Sequence, residues 1–187
     1  MTRTGTSRRN TTGGHVNRLR VTLISSFLSM SVWLQCQPVS LAAASLQAPV
    51  AREQDVQTVD SIIQALYQVI SGPSGQKRDW DRFRSLFAPG ARLIPALSRP
   101  GEKPVIRVLD VEEYIRRTDS IFEKEDFWES EKERKTDTSG NLVHVFSMYE
   151  SRRAQTGQPF QTGVNSIQLF NDGARWWIVT VMWNSTR

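Results

Sequence analysis

The chain has 187 residues and a formal net charge of +5, from 24 Lys and Arg against 19 Asp and Glu. Five basic residues, Arg3, Arg8, Arg9, Arg18 and Arg20, fall in residues 1–48, which hold no Asp or Glu, so the rest carries 24 − 5 = 19 basic side chains against 19 acidic ones. A balanced domain lacks the basic footprint that neutralises phosphates, which argues against nucleic-acid binding.

The leader reads as a secretory signal. Basic residues run to Arg20, an apolar stretch follows from Val21 to Leu34, and Ala42-Ala43-Ala44 offers small residues for cleavage after Ala44. That stretch is 14 residues, interrupted by Ser25, Ser26, Ser29 and Ser31. A helix needs about 20 to cross a hydrocarbon core. The spacing of Arg8-Arg9 from the apolar run does not fit a twin-arginine signal, and Gln35 before Cys36 does not fit a lipoprotein site. Cleavage removes Cys36, the single cysteine, so thiol nucleophiles, disulfides and Cys-based metal sites are excluded from the mature chain. The expectation is residues 1–44 as signal peptide, 45–54 as a linker containing Pro49, and 55–187 as one domain. Export would place it in the periplasm or outside the cell, with no membrane attachment after cleavage.

The first folded element is a helix over Asp55 to Ile70, where Val56, Val59, Ile62, Ile63, Leu66, Val69 and Ile70 recur at three- and four-residue steps. Ser71-Gly72-Pro73 ends it. A second helix starts at Asp79, carries Trp80, Phe83, Leu86 and Phe87, and stops at Pro89-Gly90. Two short extended segments follow, Arg92 to Ala96 and Val105 to Leu109, with prolines that suit sheet edges. Asp110 opens a third helix, with Glu113 completing a capping box.

Strands then occupy the rest. Phe127 to Thr136 turns through Asp137-Thr138-Ser139-Gly140 into Leu142 to Arg152. Thr156-Gly157-Gln158-Pro159 leads into Phe160 to Phe170, and Asn171-Asp172-Gly173 forms the last hairpin, into Arg175 to Trp183. The fold class is α+β: three N-terminal helices packed on a curved, mixed, mostly antiparallel sheet, in the order α-α-β-β-α-β-β-β-β.

The run from Ser147 to Arg152, then Gly157-Gln158-Pro159-Phe160, Gly163 to Phe170, and Asp172 to Ile178 resembles the nuclear transport factor 2-like (NTF2-like, SnoaL-like) superfamily, in a bacterial branch without assigned activity. The resemblance spans about Asp55 to Trp183. It implies a cone-shaped domain with an internal pocket and, commonly, dimers formed through the outer sheet face. Relatives include ketosteroid isomerase, scytalone dehydratase, limonene epoxide hydrolase and polyketide cyclases, together with non-catalytic modules. Their catalytic sets do not transfer. The strands from Leu142 to Phe170 hold Glu150 as their one acid, and His144 is the one histidine beyond the leader.

Alternation places Leu142, His144, Phe146, Met148 and Glu150 on one face of their strand, and Val143, Val145, Ser147 and Tyr149 on the other. His144 is the candidate general base, since a neutral imidazole transfers protons near pH 7. Tyr67, Trp80, Trp128, Tyr149 and Asn165 are the candidate pocket-lining residues. The residue set implies no metal site and no cofactor. Glu129, Glu131 and Glu133 share one face of a charged strand; three carboxylates in a row offer a cation site or an acid and base, and the preferred reading is a solvated face that discourages edge pairing. Trp177, Val179, Val181 and Trp183 form an apolar stripe on the last strand, read as the outer-face contact of a homodimer.

The first functional class is an exported, non-catalytic module that holds a small apolar molecule or mediates assembly, favoured because no catalytic constellation is complete. The second is a cofactor-free lyase, isomerase or hydrolase with His144 as base and a small hydrophobic substrate. The second requires His144 and another polar group to converge in one cavity.

Overall fold

The computed structural model describes residues 49–98 and 101–186, and the expected signal segment lies outside them. The single helix expected over 55–70 is two, α1 (Glu53–Val56) and α2 (Val59–Ile70). Thr58 separates them: it is extended, and its hydroxyl accepts the Ser61 N–H while Ser61 answers on the Thr58 N–H. This reciprocal pair satisfies backbone donors that would otherwise be orphaned at the start of α2.

Helix α2 supplies the main helical layer. Ile62, Ile63, Leu66, Tyr67, Val69 and Ile70 are all buried, and each apolar side chain so placed contributes about 1.5–3 kcal/mol. Its C-terminal end is closed by a residue that the hydrophobic pattern does not flag. The buried Arg78 guanidinium donates to the carbonyls of Ile70 (2.9 Å), Gly72 (2.7 Å), Pro73 (3.1 Å) and Gln76 (2.8 Å). Such carbonyls have no partner within the helix and need one from outside.

Helix α3 (Trp80–Ser85) is shorter than expected. Phe87 leaves it to begin β1 (Phe87–Leu97), and the Leu86 carbonyl already accepts from the Ile178 N–H at 2.9 Å. Strand β2 (Val105–Ile106) and helix α4 (Val111–Phe122) follow. Asp110 caps α4 through the Glu113 N–H at 2.7 Å, but the Glu113 carboxylate turns forward to Arg117 at 2.5 Å, so the expected box is half formed.

Strands β3 (Trp128–Ser139), β4 (Leu142–Arg152), β5 (Pro159–Asn171) and β6 (Trp176–Thr186) form a meander. The sheet order is β2-β1-β6-β5-β4-β3, antiparallel throughout except where β1 runs parallel to β6. The β5–β6 turn follows its sequence chemistry. Gly173 has φ 95°, and the Asp172 carboxylate accepts from the Ala174 and Arg175 N–H groups at 2.8 and 2.9 Å. Gly supplies a left-handed conformation without steric cost.

Register shifts interrupt β1–β6, β3–β4, β4–β5 and β5–β6. Each extra residue bends its strand and reverses the in–out alternation beyond it. The core lies between α2, α3, α4 and the inner sheet face, where Val143, Val145, Ile167, Leu169 and Ile178 are at most 4% exposed. Among the described residues no helix is long and apolar enough to cross a membrane.

Candidate functional site

The parity of β4 decides which side chains face the helices. Val143, Val145, Ser147, Tyr149 and Ser151 are buried, while Leu142 and Phe146 on the other face are 56% and 45% exposed. Opposite them on β5, Asn165, Ile167 and Leu169 are buried. This inner face closes a cavity of about 440 Å³ against α2 and α4. Its lining is rich in aromatic rings, among them Tyr67, Tyr114, Phe122, Tyr149, Phe160 and Trp183, and its polar members are Thr118, Glu125, Glu129, Arg153, Gln161 and Asn165. A second hollow of about 560 Å³ lies between α2 and β3 and is more polar, lined by Asp60, Gln64, Gln68, Trp128, Glu131 and Arg134 among others. Tyr67 and Glu129 line both.

A directed hydrogen-bond chain crosses the wall between the hollows. Asn165 Nδ2 donates to the Tyr67 hydroxyl at 3.0 Å, and that hydroxyl lies 2.7 Å from Ser147 Oγ. Ser147 spends its one proton on Glu131 Oε1 at 2.5 Å. Tyr67 must therefore donate to Ser147 and accept from Asn165. The chain ends on a charge pair, with Glu131 Oε2 2.5 Å from Arg134. Burial pushes the Tyr67 phenol well above its usual range, and the neighbouring Glu129 and Glu131 charges act in the same direction. It stays neutral and keeps its donor role.

Glu129 differs from Glu131. It is half-buried, and Ser151 Oγ donates to its Oε2 at 2.9 Å. Among the described residues no Lys, Arg or His forms an ion pair with it. Desolvation pushes its carboxyl up to about 7, against the opposing effect of hydrogen bonds from Ser151 and Asn165. A carboxyl in that range changes charge within the physiological interval.

No protein-family model and no curated relative matches the chain. Solved structures do. One from Nostoc punctiforme PCC 73102, a protein of unknown function with a cystatin-like fold, aligns at TM-score 0.52 and 10% identity over 70% of this chain and 94% of that one. An NTF2-like protein of unknown function from Pseudomonas putida KT2440 aligns at 0.51 and 9% identity over 67% and 82%. A structure from Xanthomonas campestris named for the association domain of calcium/calmodulin-dependent protein kinase II aligns at 0.50 and 11% over 68% and 85%. With α2, α3 and α4 behind a bent six-stranded sheet, these alignments decide the architecture. The chain has the NTF2-like fold.

Within that fold the expected site residues separate. Tyr67, Tyr149 and Asn165 meet in the 440 Å³ cavity of the NTF2-like cone, while Trp128 lines the neighbouring hollow. Trp80 lines neither. It packs beside Phe83 and Phe122 and donates from Nε1 to Asp119 at 2.8 Å. His144 is on the outer sheet face, with Nε2 2.9 Å from Ser166 Oγ, and lines neither hollow. His144 and Tyr149 are five residues apart on one regular strand, so their side chains point to opposite faces.

The expected outer stripe on β6 is also divided. The register steps from Gln168↔Thr180 to Leu169↔Ile178, so Val179 is unpaired. Beyond that bulge Val181 and Trp183 turn inward and line the cavity, leaving Trp177 and Val179 without them. Glu129 and Glu131 were set aside as site residues in favour of a solvated face, for a related reason. Their inward direction follows from the pairings Glu129↔Ser151 and Glu131↔Tyr149, and a register shift separates Glu131 from Glu133. The available sequence signal was the Ser147–Tyr149–Ser151 face of β4, whose hydroxyls need partners once buried.

Proposed function

We propose that this protein is an exported small-molecule-binding module. The observation that carries the reading is the 440 Å³ cavity, walled by aromatic rings and provided at one end with Asn165, the Tyr67 hydroxyl and the Glu129 carboxyl. A mostly apolar hollow with a few convergent polar groups suits a ligand with one polar end. The basic leader and alanine cleavage site support export.

Catalysis by His144 loses its geometry, because the imidazole and the cavity lie on opposite sheet faces. One observation favours a second reading, proton transfer to a bound substrate by Glu129: its carboxyl titrates at about 7 beside the cavity. We also propose a homodimer through the outer sheet face, where Leu142, Phe146, Val179 and Met182 stand 37–56% exposed.

Native mass spectrometry of protein purified from its own host tests the binding reading. Thr118 is half-buried on α4 and lines the cavity, and its hydroxyl bonds only within its helix, to the Tyr114 and Ile115 carbonyls. Thr118→Trp therefore fills the hollow with little other loss. The expected result is a small molecule retained by the wild type and absent from the variant. Equal retention by both, or none by either together with no affinity for neutral aromatic probes, refutes the reading. Incubation of the recovered ligand in D₂O with the wild type and with Glu129→Gln separates binding from proton transfer.

A further inference from the structure

We infer that the cavity is built for a ligand bearing an organic ammonium group, held against the Glu129 carboxylate inside a cage of Tyr67, Tyr114 and Tyr149. This names the ligand class of the site above and so rests on the binding reading. Three observations converge on it.

The first is charge. Cavity-lining Arg153 is paired with Glu125 and stacked 4.2 Å over the Phe160 ring, so it is already committed. Glu131 faces the same wall but is held by Arg134 and Ser147. Glu129 remains as the cavity carboxyl whose bonding partners are neutral donors. A poorly solvated anion without a cation is costly, and a cation that enters the cavity relieves that cost.

The second is the walls. Tyr67 comes from α2, Tyr114 from α4 and Tyr149 from β4, and all three line this cavity. Glu129 lines the same cavity, and its charge acts on each of the three phenols. Trp183 meets Tyr114 edge-on with centroids 6.1 Å apart and extends the wall. Aromatic faces attract ammonium groups through their quadrupoles, and do so best where water is excluded.

The third is rigidity. The Tyr67 hydroxyl is fixed by Asn165 and Ser147, and the Tyr149 hydroxyl donates to the Asn184 carbonyl at 3.1 Å. Rings held in this way need no ordering when a ligand arrives.

Proton linkage gives the site a signature. The carboxyl titrates near 7 while burial keeps the three phenols neutral, so it is about 1% ionised at pH 5 and about 90% at pH 8. The probes are phenyltrimethylammonium, which is permanently charged, and tert-butylbenzene, its neutral isostere, each titrated in phosphate by NMR. The expected result is that the ammonium binds at least about tenfold more tightly than the isostere at pH 8 and falls toward the isostere's level by pH 5, a loss of at least about eightfold and at most about a hundredfold. The isostere's affinity should not change with pH. Glu129→Gln should bring the ammonium down to the isostere's level and leave the isostere unchanged. Equal affinity of the two probes at pH 8, or ammonium binding that ignores pH and survives Glu129→Gln, overturns the ammonium assignment and leaves the pocket intact. Binding of neither probe, the ammonium taken to about 10 mM and the isostere to saturation, overturns both.

Discussion

Replacing Glu129 by Gln should stabilise the empty protein, with an advantage that grows as pH rises from about 4.5 and levels off above about 7. The substitution keeps the shape and an oxygen for the Ser151 hydroxyl while removing the charge. The folded-state pKa is raised from the ordinary value of 4.5 to about 7, so the folded carboxyl holds its proton where the unfolded one has lost it. Stability from this group is thus fully present below about pH 4.5 and is lost as pH rises through 7. A shift of this size corresponds to a ceiling of about 3 kcal/mol at 1.36 kcal/mol per unit. The carboxyl is half-buried beside a cavity, and solvent entering there lowers the figure. Urea denaturation of wild type and variant at pH 4.5, 6, 7 and 8.5 measures the difference. The remaining titrating groups are shared and cancel. The variant's advantage should be near zero at pH 4.5 and rise to as much as about 3 kcal/mol at pH 8.5, a midpoint shift of up to about 1.5 M at a slope of about 2 kcal/mol/M. The buffer must be phosphate, since Tris is itself an amine. Parallel stability curves across the range, or a variant that is weaker at high pH, refute the claim that Glu129 is an uncompensated anion.

Gly163 pairs with Tyr149, and a Cβ built on it would lie 2.5 Å from the Tyr149 hydroxyl and 2.2 Å from the Asn184 carbonyl; Gly163→Ala should cost about 1–3 kcal/mol by thermal denaturation and abolish ligand retention by expelling the ring. Ligand retention equal to wild type would show that Tyr149 is not part of the wall. His144→Ala should leave ligand retention unchanged by native mass spectrometry and alter stability by less than about 1 kcal/mol, whereas loss of the ligand would return the imidazole to the site. Phe146→Lys and Met182→Lys place charges among the exposed apolar side chains of the outer face; each should convert a sedimenting dimer at tens of micromolar (about 10–50 µM) into monomer, and a wild type that already sediments as a monomer refutes the dimer.

Strand β4 shows how far the sequence could be read. Leu142 to Arg152 is recovered with its full bounds, and its two faces are separated correctly, because nothing disturbs alternation within it. What alternation cannot assign is which face turns inward. Both faces carry apolar residues, and the choice is made by the packing of one face into the core with α2, where Tyr67 meets Ser147, a tertiary fact. Bulges set a second limit. The β6 stripe from Trp177 to Trp183 is uniform in sequence, yet one unpaired residue sends its first half outward and its second half inward. A bulge is an agreement between two strands about register, and neither strand records it alone.

The same limit explains why the chemistry of the site was hidden in the least apolar strand. Strand β3 is the sheet edge, and its Glu-Ser-Glu-Lys-Glu-Arg-Lys run suits an edge that must resist pairing. That reading holds for most of the strand, whose residues from Lys135 to Ser139 are exposed. At its N-terminal end the strand meets the hydroxyls of β4, and two carboxylates cross inward over Ser147 and Ser151. Arg134 answers Glu131, and among the described residues no cation pairs with Glu129. A strand charged for negative reasons along most of its length therefore delivers, at one end, an anion that the fold itself leaves to be balanced from outside.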